Sequence, residues 1–303
     1  MIHKSRVVIG TWPLSGDYGL VGLKTIQETL EHCYNSGFKE FDTAPGYGEG
    51  FMEFCLGNVF HERDDVLINT KIGVAAFKQK SFELKNLQES FEQSLKRISK
   101  DSINVLFLHN PRDEVRDFAP ILEFMDKLKS EGKIRHKGIS IARNYDYGKK
   151  VDLSEFDVIQ DDANLLAMNF LKIKYPKNTK FMARSPLANG LLFGNITINS
   201  DFPKEDQRSE WLKGKRLVSI LKRVEALKKI GKENRIELPS LARRFLLNNK
   251  KIDKIIFGVK KTSHVEDIIR DLNNPPLSRD IDKKLIELFE KDFYLINEKH
   301  LGY

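Results

Sequence analysis

Eight short apolar runs rich in β-forming residues punctuate this chain, at 6–10, 40–43, 66–72, 103–108, 136–141, 156–160, 180–184 and 254–259. Segments of helical period separate most of them. Residues 23–36, 82–98, 121–128 and 217–230 place apolar side chains at i, i+3/i+4, as Phe91, Leu95 and Ile98 do. Strands alternating with helices build parallel βα units. Eight units with no Pro/Gly/Ser-rich break among 303 residues predict an α/β chain of one domain, 1–303, folded as a closed (β/α)8 TIM barrel rather than an open doubly wound sheet. Two additions are expected: a long polar connection over 188–215, and an amphipathic C-terminal helix over 280–293. Ser263-x-x-Glu266 predicts a capping box after the last strand, and Pro239 suits the first turn of another helix.

At 40% hydrophobic and 31% charged residues the chain has ample material for a core, which excludes a disordered chain or a rod. No run approaches the roughly 18–20 apolar residues of a membrane span. The opening MIHKSRVVIGTW lacks the long apolar region and cleavage site of a signal peptide, so a cytoplasmic protein is expected. Cys33 and Cys55 lie in helix-like patterns without CxxC or CxxH company and read as small buried hydrophobes. The net charge is +8, and 204–251 alone holds 15 Lys/Arg against 6 Asp/Glu. These charges fall on the outer face of a helical pattern without interleaved aromatics, so a solvated face is expected and not a nucleic-acid site.

In such barrels the chemistry sits at the C-terminal ends of the strands. The second strand ends in FDTAPGYG, placing Asp42 at its tip and Tyr47 in the turn; the third carries Lys71, and the fourth ends at His109. The next three strands offer Ser140, Gln160, and Arg184 with Ser185. Singly, each of the first four has a plainer reading: a buried Asp42–Lys71 ion pair, a satisfied strand-end histidine, a packed tyrosine. Together they suit proton transfer. A phenol titrates near ~10 and is a poor acid at neutral pH. A contacting cation lowers that value. Lys71 supplies the cation, Asp42 fixes it, and His109 is placed to hydrogen-bond a substrate carbonyl. No second His or carboxylate stands at ligand spacing from His109, so no metal is expected.

The ordered motifs FDTAPGYG, NTKIG, FLHNP, GIS, VIQ, SPLANGLL and IIFGVKKTSHVED resemble the aldo-keto reductase superfamily over essentially the whole chain. The resemblance implies a barrel that reduces aldehydes and ketones with NADPH, or runs the reverse oxidation. Tyr47 is then the general acid/base, assisted by Lys71, Asp42 and His109. It further implies that Ser140 and Gln160 hold the nicotinamide carboxamide and that Arg184 stands at the nicotinamide face. Ser185, Leu187 and Gly190 then run along the pyrophosphate, and Gly258, Lys260 and His264 hold the adenosine end. Lys260 and Lys261 would neutralise a 2′-phosphate, favouring NADP over NAD. The chain departs from the family pattern at Ile141 (commonly Asn), Arg184 (commonly aromatic), Ala163 (frequently Tyr) and Ile268 (frequently Asn).

Trp12 is expected to wall the substrate pocket, with Tyr18 and Phe77 as further candidates. Arg112, Arg116 and Arg184 point to a small anionic carbonyl compound such as a sugar derivative. Three other readings compete at this stage. Lys71 is a Schiff-base lysine in an aldolase, the chain is a nucleotide-binding regulatory or sensor protein with little turnover, or its basic helix binds nucleic acid.

Overall fold

The computed structural model describes residues 4–76, 80–141, 146–147, 150–204 and 206–293, with the backbone alone at 292 and 293; Phe77 lies outside them. Eight strands close in chain order into a parallel barrel, β8 pairing back onto β1. They are β1 (Val7–Gly10), β2 (Glu40–Asp42), β3 (Leu67–Ile72), β4 (Ile103–His109), β5 (Ile134–Ser140), β6 (Val158–Asp162), β7 (Lys180–Arg184) and β8 (Lys254–Gly258). The helices α1 (Leu23–Asn35), α2 (Phe51–Phe60), α3 (Leu84–Ile98) and α4 (Ala119–Ser130) each follow one strand. Then α5 (Arg208–Trp211), α6 (Gly214–Glu233) and α7 (Leu238–Asn248) follow β7, α8 (Thr262–Asn273) follows β8, and α9 (Arg279–Leu288) is the extra C-terminal helix. The (β/α)8 fold read from the sequence is the fold observed.

Helical periodicity finds its partner surface as expected. α1 buries Ile26, Leu30 and Cys33, and α3 buries Leu87, Phe91 and Ile98, all against the barrel's outer face. Each fully buried Leu, Ile or Phe contributes about 1.5–3 kcal/mol of transfer free energy. Burial pushes the Cys33 thiol up to about 12 and the Cys55 thiol to about 11, so neither is a thiolate at neutral pH. A second, smaller cluster fills the barrel interior: Val8, Val105, Phe107, Val158, Met182 and Ile256. Gly138 makes room for it, since a Cβ there would stand 2.4 Å from the Phe107 ring. This layer is the floor beneath the site.

Two local expectations need correction. The sixth strand begins and ends two residues later than predicted, so Asp162 and not Gln160 is its tip. Two 3₁₀ turns, Leu153–Glu155 and Asn169–Leu171, flank this strand, and Asp152 accepts from the Ser154 N–H in the first of them. The capping box does not form. Helix α8 starts at Thr262, so Ser263 is already inside it, and Glu266 instead meets His32 of α1 at 2.6 Å. Pro239 does occupy the first turn of α7.

Candidate active site

Strand register brings the predicted residues to one mouth. Gly10 pairs with Asp42 and with Gly258, His109 with Ser140, Ser140 with Gln160, and Asp162 with Arg184. The Lys71 ammonium, 1% exposed, donates to Asp42 Oδ1 at 2.6 Å and to the Thr43 carbonyl at 2.7 Å. It stands 4.9 Å from the Tyr47 ring centroid. His109 meets Tyr47 edge-on, with centroids 6.4 Å apart. Trp12 stacks on Tyr47 at 5.8 Å and 16°. Its indole N–H donates to Asp17 Oδ2 at 2.6 Å, which fixes the ring. All four proposed proton-transfer residues and Trp12 therefore converge.

The electrostatics revise one expectation. Removal from water pushes the Tyr47 phenol above its ordinary value; Lys71 and Arg184 pull against this, while the Asp42 carboxylate adds to it. Desolvation outweighs the cation because the same burial that strengthens the Lys71 contact penalises tyrosinate. Tyr47 thus keeps its proton at neutral pH, as a proton donor must. Burial alone would favour a neutral Lys71 amine, but Asp42 and Tyr47 more than offset it, and the ammonium persists above the usual lysine range. His109 is held well below 6.5 by burial and by the nearby charges of Lys71, Arg184 and Lys80, and is neutral. Its Nδ1 is buried with no hydrogen-bond partner among the described residues.

Above these residues opens a cavity of about 730 Å³. Asp42, Tyr47, His109, Gln160 and Arg184 line one part of it, and Ser185, Leu187 and Gly190 the wall after β7. Gly258, Lys260, His264 and Ile268 line the far part, near the N-terminus of α8. Gly190 has φ +93°, a backbone that any side chain would strain, and a Cβ at Gly258 would lie 2.8 Å from the Pro13 ring. Metal-holding clusters of three or more His, Cys, Asp or Glu are absent among the described residues.

Several residues behave otherwise than the sequence suggested. Ser140 is fully buried behind the cavity wall. The Arg184 guanidinium, read as an anion receptor or a stacking plane, is committed to the protein. It donates to Asp162, Asn110, Ser140 and the Ile141 carbonyl at 3.3, 3.0, 2.7 and 2.8 Å. Lys260 donates to the Tyr18 and Gly19 carbonyls at 2.6 and 3.2 Å, tying the β8 loop to the β1 loop. Lys261 is exposed, Arg116 is exposed and off the cavity wall, and Arg112 is on it. Tyr18 lines the cavity, 4.9 Å from Trp12.

Sequence reasoning missed Asn110, Asp162, Asp17, Arg208 and Arg243, all of which line the cavity. Asn110 follows His109 with φ 51°, and the HNP motif was a usable signal for it. Asp162 is recognisable only once β6 and β7 are in register. Arg208, clamped by Asp206 at 2.9 and 2.6 Å, sits in the long connection after β7 that sequence left without structure.

The pattern of the aldo/keto reductase family matches residues 6–287. The Bacillus subtilis (strain 168) aldo-keto reductase YhdN is 29% identical over 279 residues, spanning 88% of this chain and 84% of that protein. An NADH-specific methylglyoxal reductase of Escherichia coli (strain K12) is 25% identical, spanning 90% and 91%. A probable voltage-gated potassium channel subunit beta of Oryza sativa subsp. japonica is 26% identical, spanning 91% and 90%. Among solved structures, the glycerol dehydrogenase of Gluconobacter oxydans superposes with a TM-score of 0.77 at 22% identity, covering 95% of this chain and 92% of that one. A match across nearly all of the barrel, on strands that carry the converging Asp, Tyr, Lys and His, places this chain in the aldo/keto reductase family.

Proposed function

We propose that this chain, as one domain over 1–303, is a cytoplasmic NADP(H)-dependent oxidoreductase that reduces an aldehyde or ketone to an alcohol, or catalyses the reverse. The observation that carries the reading is the Lys71 ammonium, locked by Asp42 and Thr43 beside the phenol of Tyr47 under an open cavity. Tyr47 gives its proton to the substrate oxygen, and Lys71 stabilises the tyrosinate left behind. Neutral His109 presents its ring to the same space and orients the carbonyl. A bound nicotinamide supplies or accepts the hydride. The residues present fit that group. Gln160 and Arg184 line the part beside Tyr47, Ser185, Leu187 and Gly190 the connecting wall, and Gly258, Lys260 and His264 the far end. Ser140 acts there only through Gln160 and Arg184.

For the coenzyme, exposed Lys261 at the N-cap of α8 favours a 2′-phosphate, with Lys260 adding its charge from the Tyr18 and Gly19 carbonyls it holds, and the helix N-terminus adds to this. The NADH-specific relative from E. coli is the reason to test the choice directly. Arg112 on the cavity wall supports an anionic or sugar-derived carbonyl substrate. Titrating NADPH and NADH against the quenching of intrinsic fluorescence, then screening anionic carbonyls against neutral aromatic aldehydes, tests both points. Tight NADPH binding and higher kcat/KM for anions are expected; preference for NADH, or equal kcat/KM, overturns the respective half.

A Schiff-base role for Lys71 loses ground, because an amine nucleophile needs a depressed pKa and this one is held protonated. A regulatory reading keeps one specific support, the resemblance to channel β subunits. Carbonyl turnover by the purified chain separates it from the enzymatic one.

A further inference from the structure

Resting on the reading of Tyr47 as proton donor, the geometry points to Arg184 as a positioning residue that fixes the direction of a buried hydrogen-bond chain ending at Lys71 beside Tyr47. The chain links β7 to β5, β6, β2 and β3. Arg184 Nη1 donates to Ser140 Oγ at 2.7 Å, and Ser140 Oγ–H donates to Gln160 Oε1 at 2.9 Å. Gln160 Nε2 donates to Asp42 Oδ2 at 3.0 Å, and Lys71 Nζ donates to Asp42 Oδ1 at 2.6 Å. Ser140, Gln160, Asp42 and Lys71 are all at most 3% exposed, so water does not complete these bonds.

The two ends leave one sense only. A guanidinium has donors and no acceptor, so the Ser140 oxygen must accept from it and spend its single proton on Gln160. The Gln160 oxygen is thereby consumed, and its amide N–H must face Asp42. A carboxylate accepts only, so Asp42 takes one N–H from Gln160 and one from Lys71. The Lys71 ammonium spends a second donor on the Thr43 carbonyl and keeps its third for the side of Tyr47, whose ring centroid lies 4.9 Å away. A phenol oxygen that takes this third donor has its own proton directed away from Lys71, toward the cavity. Arg184 is itself held at the head of the chain by Asp162 on Nε, Asn110 on Nη1 and the Ile141 carbonyl on Nη2.

The charges facing Tyr47 are Lys71 from β3, Asp42 from β2 and Arg184 from β7, with neutral His109 from β4 at its edge. Those facing Arg184 are Asp162 and Asp161 from β6, and Tyr47. Arg184 works against the upward push that burial gives the phenol. Without it the chain loses both its fixed head and one of the two cations near Tyr47.

The test uses the full chain without nucleotide, labelled with 3-fluorotyrosine, and follows the Tyr47 fluorine resonance, identified by its loss in Tyr47→Phe, against pH. Arg184→Met is expected to raise the Tyr47 midpoint by half a unit or more, and Arg184→Lys to recover part of the shift. Ser140→Ala, which removes one oxygen and no charge, is expected to move the resonance and raise the midpoint by less. In turnover, Arg184→Met is expected to lower kcat at least tenfold, and Arg184→Lys to recover part of the loss. A folded Arg184→Met with an unmoved midpoint overturns the proposal. If that variant does not fold, an unmoved resonance in Ser140→Ala does so. A wild-type chain that turns over no carbonyl yet shows the shift sinks the enzymatic reading and leaves the chain of bonds standing.

Discussion

The two ends of this barrel bury comparable sets of polar groups and put them to different use. At the N-terminal end Glu40 accepts from Asn69 at 3.0 Å, from Asn104 at 3.4 Å and from Lys254, while Asn104 also donates to Asn69 at 2.8 Å. The donors and acceptors there are matched to one another around a space of about 40 Å³. At the C-terminal end Asp42, Lys71, Gln160, Ser140 and Arg184 are matched just as well, but the network ends at Lys71 beside Tyr47, beneath a cavity of about 730 Å³. There the His109 Nδ1 has no hydrogen-bond partner among the described residues. Satisfied polar groups fix a structure; a satisfied network that ends on a titratable group at an open cavity is equipped to act on a ligand.

Breaking each end separates these roles. Lys71→Met leaves the Asp42 carboxylate buried beside an apolar side chain. It is expected to cost about 3–5 kcal/mol of stability and to reduce carbonyl turnover by about 10²–10⁴-fold. Chemical denaturation together with steady-state rates reads both. Glu40→Gln at the other end is expected to cost about 1–3 kcal/mol, since Lys254 and two amides lose their charged acceptor, while kcat stays within twofold of wild type. A comparable loss of kcat in Glu40→Gln would mean that the two ends are not separable.

A smaller effect comes from pH. His109 is held well below 6.5 in the folded chain, whereas the unfolded chain takes up that proton near ~6.5. The unfolded state therefore binds more protons under mildly acidic conditions, and stability falls as pH drops below about 6.5, by up to about 1.4 kcal/mol per unit. Above that pH the contribution is constant. His109→Asn removes this slope, so the difference in Tm between pH 7.5 and pH 5 is expected to be smaller in the variant. An unchanged difference would mean that His109 takes a proton in the folded state.

The sequence made the barrel legible because its signal is repeated eight times, and an error at one strand, such as the two-residue offset at β6, does not disturb the others. Asp42, Tyr47, Lys71 and His109 were legible because each lies at or just past a strand end, where the fold dictates which way the mouth is. Trp12 was legible as a pocket wall, but its grip on Asp17 and its stacking on Tyr47 depend on how the β1 loop turns. Arg184 was the reverse case. Its position was found, but the partners that hold it, at β6 and at the ends of β4 and β5, come together only through register. The capping box failed for a related reason: Glu266 had a long-range partner in His32, and tertiary contact took precedence over the local motif.

The central claim is that Tyr47 delivers the proton. NADPH oxidation by the wild-type chain and by Tyr47→Phe, each with a panel of small aldehydes and with nucleotide affinity measured in parallel, tests it most directly. The expected result is a loss of about 10²–10⁴-fold in kcat with the NADPH dissociation constant within threefold of wild type. A Tyr47→Phe variant that reduces the same aldehydes at close to the wild-type rate would contradict it and place the acid elsewhere in the cavity.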